Sequence, residues 1–385
     1  MPLTQSWRSG GAPVRWRIGL VIASVWLCAG CGPSAIVPSL TLDEIAAERR
    51  RQEIAQLRDY FAQIHRLDTV AYRIVTANRE FCKQWVIAQI GLFAATPESL
   101  PSKYRKFSAE ALGLRWVRPT VISVADGGPA ALAGIVNKDE LISFNNEPVP
   151  VTATVRWINA FLEDNLDRPF KVVLLRDDEY KTFTIKPVMG CAIPVTLDVK
   201  QEANAFTDFK KIVIQTGILR LTRTDSDLAA IVGHELAHVN MGHYQKKTVN
   251  GYIGQVGGLV VDGGFLMGGI WTGGAFSNYL HNAGMMAFSV AFEMEADYVG
   301  AYYAARAGYD ISGTEEVWRA LSLESPTSIR MGTDHPTTPV RYLQMKKVID
   351  EIADKKRRGV ALLPELKTTQ VRSEPEPAGD TANTQ

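Results

Sequence analysis

The stretch His234-Glu235-Leu236-Ala237-His238 decides how the C-terminal half of this chain is interpreted. In an α-helix, residues four positions apart lie on one face, so both imidazoles can bind the same metal ion. Glu235 projects about 100° from His234, which leaves its carboxylate close enough to act as a general base for water. The stretch predicts a zinc hydrolase; a chance match on an amphipathic helix is the alternative.

The flanking sequence also indicates a helix. Thr224-Asp225-Ser226-Asp227 is a capping-box-like start, and an apolar stripe follows it. The stripe consists of Leu228, Ile231, Val232, Leu236 and Val239. Glu235 falls within the angular range of that stripe, where a buried carboxylate needs a partner.

A zinc site needs a third protein ligand and an open position for water. Tyr244 stands where a metzincin would carry its third histidine, and His243 is one residue early, so we expect His243 only to pack or hydrogen-bond. A downstream helical segment places Glu293 and Asp297 on one face, while Glu295 points elsewhere. We predict Glu293 as the third ligand and Asp297 as the residue that orients a ligand histidine. A solvated acidic face is the alternative.

The paired motifs, H-E-L-A-H at 234–238 and E-M-E-A-D at 293–297, resemble the gluzincin peptidases. That family includes the heat-shock protease HtpX, the CAAX prenyl protease and the mitochondrial Oma protease. The resemblance spans roughly residues 191–350 and implies one Zn²⁺ per chain. It also implies that Asn204-Ala205-Phe206 leads into the strand flanking the active-site cleft.

The resemblance extends to Asp334-His335-Pro336, with Arg341 five residues after the proline. In periplasmic members, the histidine of such an element can approach the zinc. The resemblance therefore implies that His335 is either a regulatory fourth ligand or a residue that stabilises the transition-state oxyanion, supported by Arg341.

The segment Lys211 to Thr216 alternates like a strand. It could pair with an extended substrate by strand addition, or be an ordinary sheet strand, and both could hold.

Residues 1–30 are typical of a lipoprotein signal peptide: a basic start, a short apolar run and Ala29-Gly30 before Cys31. We expect cleavage before Cys31 and lipidation of its thiol, with Gly32 favouring the outer membrane; an uncleaved anchor is the alternative. Removing these residues takes away three arginines and no acid, so the formal charge falls from +1 to −2. That balance gives no support for nucleic-acid binding.

In an oxidising periplasm, Cys82 and Cys191 could form one disulfide across a long loop. Two unrelated buried thiols are the alternative.

Residues 105–189 resemble a bacterial PDZ domain of the envelope-protease type, through Gly127 to Ile135 and the strands around Asp177-Asp178. The resemblance implies that Gly113, Leu114 and Arg115 cradle a peptide carboxylate with their backbone N–H groups. A module that only packs against the protease is the alternative.

Gly251 to Phe276 is glycine-rich and apolar, which favours a lid or a surface that meets a membrane or a partner. We expect the last helix to begin at Thr338-Pro339.

The predicted fold class is α+β: a mostly helical zincin-type peptidase domain with a small sheet and an inserted, β-rich PDZ-like domain. The predicted divisions are a signal peptide (1–30), a helical region (31–104), the PDZ-like domain (105–189), the peptidase domain (190–358) and a disordered polar tail (359–385).

The predicted function is zinc metalloendopeptidase of the bacterial envelope, facing the periplasm and acting on misfolded or unassembled envelope proteins. One rival is a chaperone or scaffold whose zinc is latched by His335. Another is a zinc hydrolase acting on non-protein substrates.

Overall fold

The computed structural model describes residues 38–83, 85–208, 210–286, 289–324 and 339–367. Its architecture mixes helices with sheets, as the sequence predicted. The predicted signal peptide and Cys31 lie outside the described residues.

Helix α1 (Leu42–Ala77) is capped by Thr41, whose hydroxyl accepts the N–H of Glu44 while the Glu44 carboxylate accepts the N–H of Thr41. The chain divides into two units at residue 53, and the described residues 38–52 belong to the first. All later elements belong to the second unit, as does the apolar face of α1 from Ile54 onward. After a short 3₁₀ helix (Arg79–Cys82), Cys82 forms a disulfide with Cys191, with a Cα–Cα distance of 5.5 Å.

The elements that follow alternate strands with short helices. They are β1 (Val86–Gln89), β2 (Leu92–Ala95), α2 (Ser102–Arg105), α3 (Ser108–Leu112), β3 (Thr120–Val124), α4 (Pro129–Ala133), β4 (Glu140–Phe144), β5 (Glu147–Pro148), α5 (Thr154–Asp164), β6 (Phe170–Arg176), β7 (Glu179–Ile185) and β8 (Val188–Cys191). Strands β2-β3-β4-β6-β7 form an antiparallel sheet in that order, with β5 paired to β4.

The core of this sheet is aromatic. Phe144, Phe161 and Phe170 pack with ring centroids 4.9–5.3 Å apart. The β6–β7 hairpin turns at Asp177 and Asp178, whose φ angles of 52° and 61° match the tight turn that the sequence predicted. Because β2 belongs to the sheet, the sheet begins at Leu92, ahead of the predicted boundary at 105.

Strand β8 pairs with β1 to form a two-stranded sheet, and a separate three-stranded sheet then leads into the helices. Its strands are β9 (Val195–Asp198), β10 (Ala205–Thr207) and β11 (Ile212–Gln215), in the order β10-β11-β9. The helices are α6 (Thr216–Leu221), α7 (Asp225–Asn240), α8 (His243–Met267), α9 (Ala275–Met286), α10 (Ser289–Arg306), α11 (Glu315–Glu324) and α12 (Pro339–Arg357).

Helices α7 and α10 form the centre of the main core. Small residues such as Ala229, Ala237 and Ala296 allow these two helices to pack closely. Helix α10 ends just before Gly308, whose φ of +83° is the left-handed conformation expected at a helix stop. No helix of the described residues is both long and apolar enough to cross a membrane.

The expectation of a disordered tail from residue 359 is wrong for its first part. The carbonyl of Leu362 accepts from Arg306, and the N–H of Glu365 donates to the Tyr298 hydroxyl. Residues 359–367 therefore lie along α10. Their polar composition suggested disorder, but their backbone groups form hydrogen bonds with side chains of that helix.

Candidate metal centre

Helix α7 carries the two predicted histidine ligands. Thr224 caps the helix: its hydroxyl accepts the N–H of Asp227 at 3.1 Å, and Asp227 accepts the N–H of Thr224 at 2.9 Å. This reciprocal pair satisfies N–H groups that a helix start otherwise leaves unpaired. The next three turns are buried almost throughout, which fixes His234, Glu235 and His238 inside the protein.

Glu293 on α10 completes a three-residue cluster with the two histidines. The Nε2 atoms of His234 and His238 are 3.0 Å apart, and each lies 3.4 Å from a carboxylate oxygen of Glu293. The carboxylate is fully buried. Among the described residues, this is the group whose donor atoms converge closely enough to hold a metal ion.

The donor set fits zinc. Three tetrahedral ligands at ordinary Zn–N and Zn–O distances are separated by about 3.3 Å, close to the spacings of the His234, His238 and Glu293 donor atoms. Two imidazoles and one carboxylate leave the fourth position for water, as in catalytic zinc sites.

Two glycines set the distance between α7 and α10. A Cβ on Gly300 would lie 2.6 Å from the backbone nitrogen of His234, and a Cβ on Gly233 would lie 2.6 Å from the carbonyl oxygen of Gly300. The helices approach so closely because neither residue has a side chain. Glu293 is two turns before Gly300 on the same face, so this crossing also sets the position of the third ligand.

Asp297, predicted to orient a ligand histidine, contacts His234. Its carboxylate lies 2.8 Å from Nδ1 of His234, which directs Nε2 toward the metal position. Arg341 donates to both oxygens of Asp297 at 2.7 Å, and Trp318 donates its indole N–H at 3.1 Å. Arg341 also lies 3.2 Å from Glu293, so one guanidinium neutralises both carboxylates.

These contacts perturb ionisation in the metal-free protein. Burial opposes a charge on His234, but hydrogen bonds to Asp297 and Glu293 outweigh it and raise the pKa of His234 to about 9. Burial also works against ionisation of Asp297, yet the charge of Arg341 keeps the pKa of Asp297 below its ordinary value. Binding a metal must therefore displace a proton from His234.

His238 contacts His243, which in turn contacts Glu295 and Phe292. The sequence did not predict this chain of contacts. His243 Nδ1 lies 2.9 Å from His238 Nδ1, and His243 Nε2 lies 2.8 Å from Glu295. The ring of Phe292 stacks on His243 at a centroid distance of 4.8 Å. With Glu295 accepting from Nε2, His243 can accept the Nδ1–H of His238, which orients Nε2 of His238 toward the metal position.

The predicted packing or hydrogen-bonding role of His243 agrees with these contacts. His243 lies only five residues after His238, so a contact between them could have been predicted from the sequence. The contact of His243 with Glu295 joins residues 52 positions apart, and no local sequence pattern predicts it.

The small sheet places an open edge beside α7. Strand β10 holds Ala205 and Phe206, pairs with β11 on one side and packs near α7. In the described part of the chain, no strand pairs with its other side. Asn204 precedes the strand, and its carbonyl accepts the N–H of Gln215 at 3.0 Å.

The suggestion that residues 211–216 pair with substrate is wrong. Strand β11 is the central strand, bonded to β10 on one side and to β9 on the other, so its backbone groups are already used.

The predicted carboxylate cradle at 113–115 is also wrong in this structure. The N–H of Gly113 donates to Ala109, that of Leu114 to Ser108 and that of Arg115 to the Thr120 hydroxyl. The side chain of Leu114 is buried, and Arg115 pairs with Glu140 at 3.2 Å. The N–H groups that would bind a carboxylate therefore already have partners.

Two predicted residues cannot be placed. His335 and Cys31 lie outside the described residues. Arg341, expected to support His335, hydrogen-bonds to Asp297 and lies 3.2 Å from Glu293.

Comparison with protein families gives a match to Peptidase family M48 over residues 193–349. This match and the relative described below support an M48/Oma-type metallopeptidase over this part of the chain. The match contains the whole His234, His238 and Glu293 cluster, and it confirms the M48/Oma-type metallopeptidase interpretation of the motifs.

A curated relative is the mitochondrial metalloendopeptidase OMA1 of Schizosaccharomyces pombe, 24% identical over 145 residues. The aligned part covers 37% of this chain and 42% of that protein, so the chain spans less than half the length of this relative.

Solved structures with local similarity include two PDZ-containing or protease chains. An HtrA-type protease AlgW with decapeptide is 23% identical, with a TM-score of 0.22 and coverage of 28% of this chain and 30% of that one. The HtrA3 PDZ domain bound to a phage-derived ligand is 21% identical, with a TM-score of 0.21 and coverage of 27% and 90%.

Proposed function

We propose that this chain is a zinc-dependent metalloendopeptidase that cleaves unfolded or unassembled proteins of the bacterial cell envelope. The observation that carries the proposal is the convergence of His234, His238 and Glu293 donor atoms within 4.8 Å, with Glu235 on the same helix. The M48 match supports hydrolysis of peptide bonds.

The chain's own residues would divide the chemistry as follows. When bound by the three ligands, zinc supplies Lewis acidity that activates water and polarises the scissile carbonyl. Glu235 is 2% exposed and adjacent to a ligand, so it can accept a proton from water and deliver it to the leaving amine. Asp297 and His243 hold the two imidazoles in one orientation during the reaction.

Strand β10 supports a peptide as substrate. An extended chain could hydrogen-bond to its free edge as an added strand, which would present one peptide bond to the cluster on α7. Backbone pairing of this kind does not depend on the side chains of the substrate. It therefore suits unfolded proteins, whose sequences differ.

The zincin-type and PDZ-like folds, the envelope location and the lipid on Cys31 belong to the same proposal. The signal-like residues 1–30 support a periplasm-facing anchor, with the outer membrane favoured by Gly32. The antiparallel sheet beginning at Leu92 would be the PDZ-like module, and protein termini would be its ligands. Loss of labelled palmitate incorporation in Cys31→Ser would support the anchor, and undiminished incorporation would contradict it.

The deciding experiment compares degradation of an unfolded model protein by the wild-type chain and by Glu235→Gln, with zinc content measured in both. We expect stoichiometric zinc in both proteins and at least a 1,000-fold loss of cleavage in the variant, on the order of the loss when a catalytic proton-transfer group is removed. Glu202→Gln, at an exposed position, is the matched control and should cleave normally. Normal cleavage by Glu235→Gln would refute the assigned base, and zinc-loaded wild type without activity would refute the peptidase proposal.

A further inference from the structure

Helices α8 and α9 form a hairpin that lies between the two halves of the metal centre in sequence. They pack mainly on each other, and most other side chains along α8 beyond Gly251 are exposed. Many of these exposed side chains are large and apolar: Met267 is 88% exposed and Trp271 is 79% exposed. Others that share this property are Ile253, Val256, Val260, Leu266, Ile270 and Tyr279. So much exposed apolar surface is rare on a soluble protein without a binding role.

The hairpin is almost without charge. Between Lys247 and Glu293 the sequence carries one charged side chain, Asp262. That carboxylate is buried and accepts from the Thr272 hydroxyl at 2.6 Å and from the N–H groups of Phe276 at 3.2 Å and Ser277 at 2.8 Å. It therefore caps α9 instead of facing outward.

The turn also satisfies several of its own backbone donors. The N–H groups of Gly268, Gly269 and Ile270 donate to carbonyls of the last turns of α8. These are the capping bonds of an ordinary helix end, and they leave fewer backbone donors at the turn that would need water.

The two helices are held together by small residues. A Cβ added at Gly254, Gly258 or Gly284 would collide with backbone atoms of the opposite helix. Close packing of this type does not depend on water being expelled from between apolar side chains, so it persists when the surroundings are themselves apolar.

We propose that the tip of this hairpin, residues 265–276, inserts into the surface of a lipid bilayer. Apolar side chains are exposed on both helices and at the turn, and lipid surrounds an inserted element on all sides, whereas a protein partner covers one face. The tip also carries no charged side chain that could form the complementary ion pairs by which one protein selects another.

Insertion would be shallow. No described helix can span a bilayer, and the exposed Asn278 and Asn282 on α9 suit the headgroup layer. Helix α8 is about 37 Å long and starts at His243, which contacts a ligand histidine. The inserted tip would therefore hold the M48 domain at a fixed distance from the membrane.

The test measures the depth of one position in the full chain. Cys28 and Cys31 are replaced by serine, and the native disulfide remains. A nitroxide is then attached at Ile270→Cys or, as a matched exposed control, at Tyr180→Cys. With phosphatidylcholine vesicles, we expect the label at 270 to collide more with oxygen than with a water-soluble nickel chelate, and the label at 180 to show the reverse. High salt should not change this result, because the tip carries no net attraction for headgroups.

A second pair of variants separates insertion from folding. Met267→Glu should return the label at 270 to the aqueous phase, since a carboxylate is costly in lipid, while Leu132→Glu, at a similarly exposed site outside the hairpin, should leave it immersed. An aqueous label at 270 in the unmodified tip would overturn the proposal. So would a label shielded from both reagents with spin–spin broadening, which would identify the hairpin as a contact between two copies of the chain. None of these readouts requires peptidase activity.

Discussion

Replacing Gly300 with alanine tests whether the crossing of α7 and α10 determines the metal centre. The added Cβ would lie 2.6 Å from the His234 nitrogen and 2.7 Å from its Cα, about 0.8 Å inside the 3.4 Å at which ordinary contact begins. Both obstacles are backbone atoms, so they cannot rotate away. The helices must separate by a comparable amount.

The size of the effect follows from two opposing contributions. Alanine favours a helix interior over glycine by about 1 kcal/mol, whereas overpacking a close helix contact costs about 1–3 kcal/mol or more. Because the contact is with backbone, we expect the packing cost to prevail and the free energy of unfolding to fall by about 1–2 kcal/mol. Gly257→Ala is the matched control: nothing lies within 4 Å of its added Cβ, so it should stabilise the protein by about 0.5–1 kcal/mol.

Zinc binding should respond as well. Glu293 moves with α10, and metal ligands tolerate displacements of only about 0.2 Å. We expect zinc affinity of Gly300→Ala to fall by roughly 10-fold or more, measured by competition with a chelator, with no change for Gly257→Ala. Urea unfolding of the metal-free proteins supplies the stability values. Wild-type stability and zinc affinity in Gly300→Ala would refute the view that this crossing sets the ligand geometry.

Four further outcomes are expected. Glu293→Gln should abolish stoichiometric zinc binding, because it removes an anionic ligand, whereas Glu295→Gln should retain zinc with weaker affinity; the reverse order in metal analysis would exchange their roles. Apparent zinc affinity should rise about 10-fold per pH unit up to about pH 9 and then level off, because His234 has a raised pKa near 9 and must lose its proton to bind metal; a flat titration between pH 6 and 8 would contradict that protonation. In the metal-free protein, the stability contributed by protonated His234 should be complete below about pH 6.5 and lost as pH rises through about 9. Replacing both Cys82 and Cys191 with serine should lower the free energy of unfolding by about 4–5 kcal/mol, given the separation of 109 residues, and unchanged urea midpoints would show that the cross-link adds no stability.

Local patterns determined much of this protein. The helix through His234 and His238, its cap at Thr224, the stop at Gly308 and the turn at Asp177 each depend on residues within a few positions of one another. Helical spacing by itself also predicts that the two histidines share one face, and that Glu293 shares a face with Asp297. These features are predictable because hydrogen bonds and steric preferences within one or two turns are set by adjacent residues.

The tertiary structure alone decided which of these local elements meet. Alternation identified β11 as a strand but not as the central one, since strand order depends on pairings that alternation does not encode. The PDZ-like resemblance placed a carboxylate cradle at 113–115, but the hydroxyl of Thr120 and two helical carbonyls accept its N–H groups instead.

The support for the metal ligands is likewise a product of packing. Arg341 reaches Asp297 across 44 positions, and Glu295 reaches His243 across 52. The sequence contains these residues, but only the tertiary packing of the helices brings each of them to its partner. The motif determined which residues could bind a metal, and long-range packing of α7 against α10 decided their distances, orientations and charges, because those depend on atoms far apart in the chain.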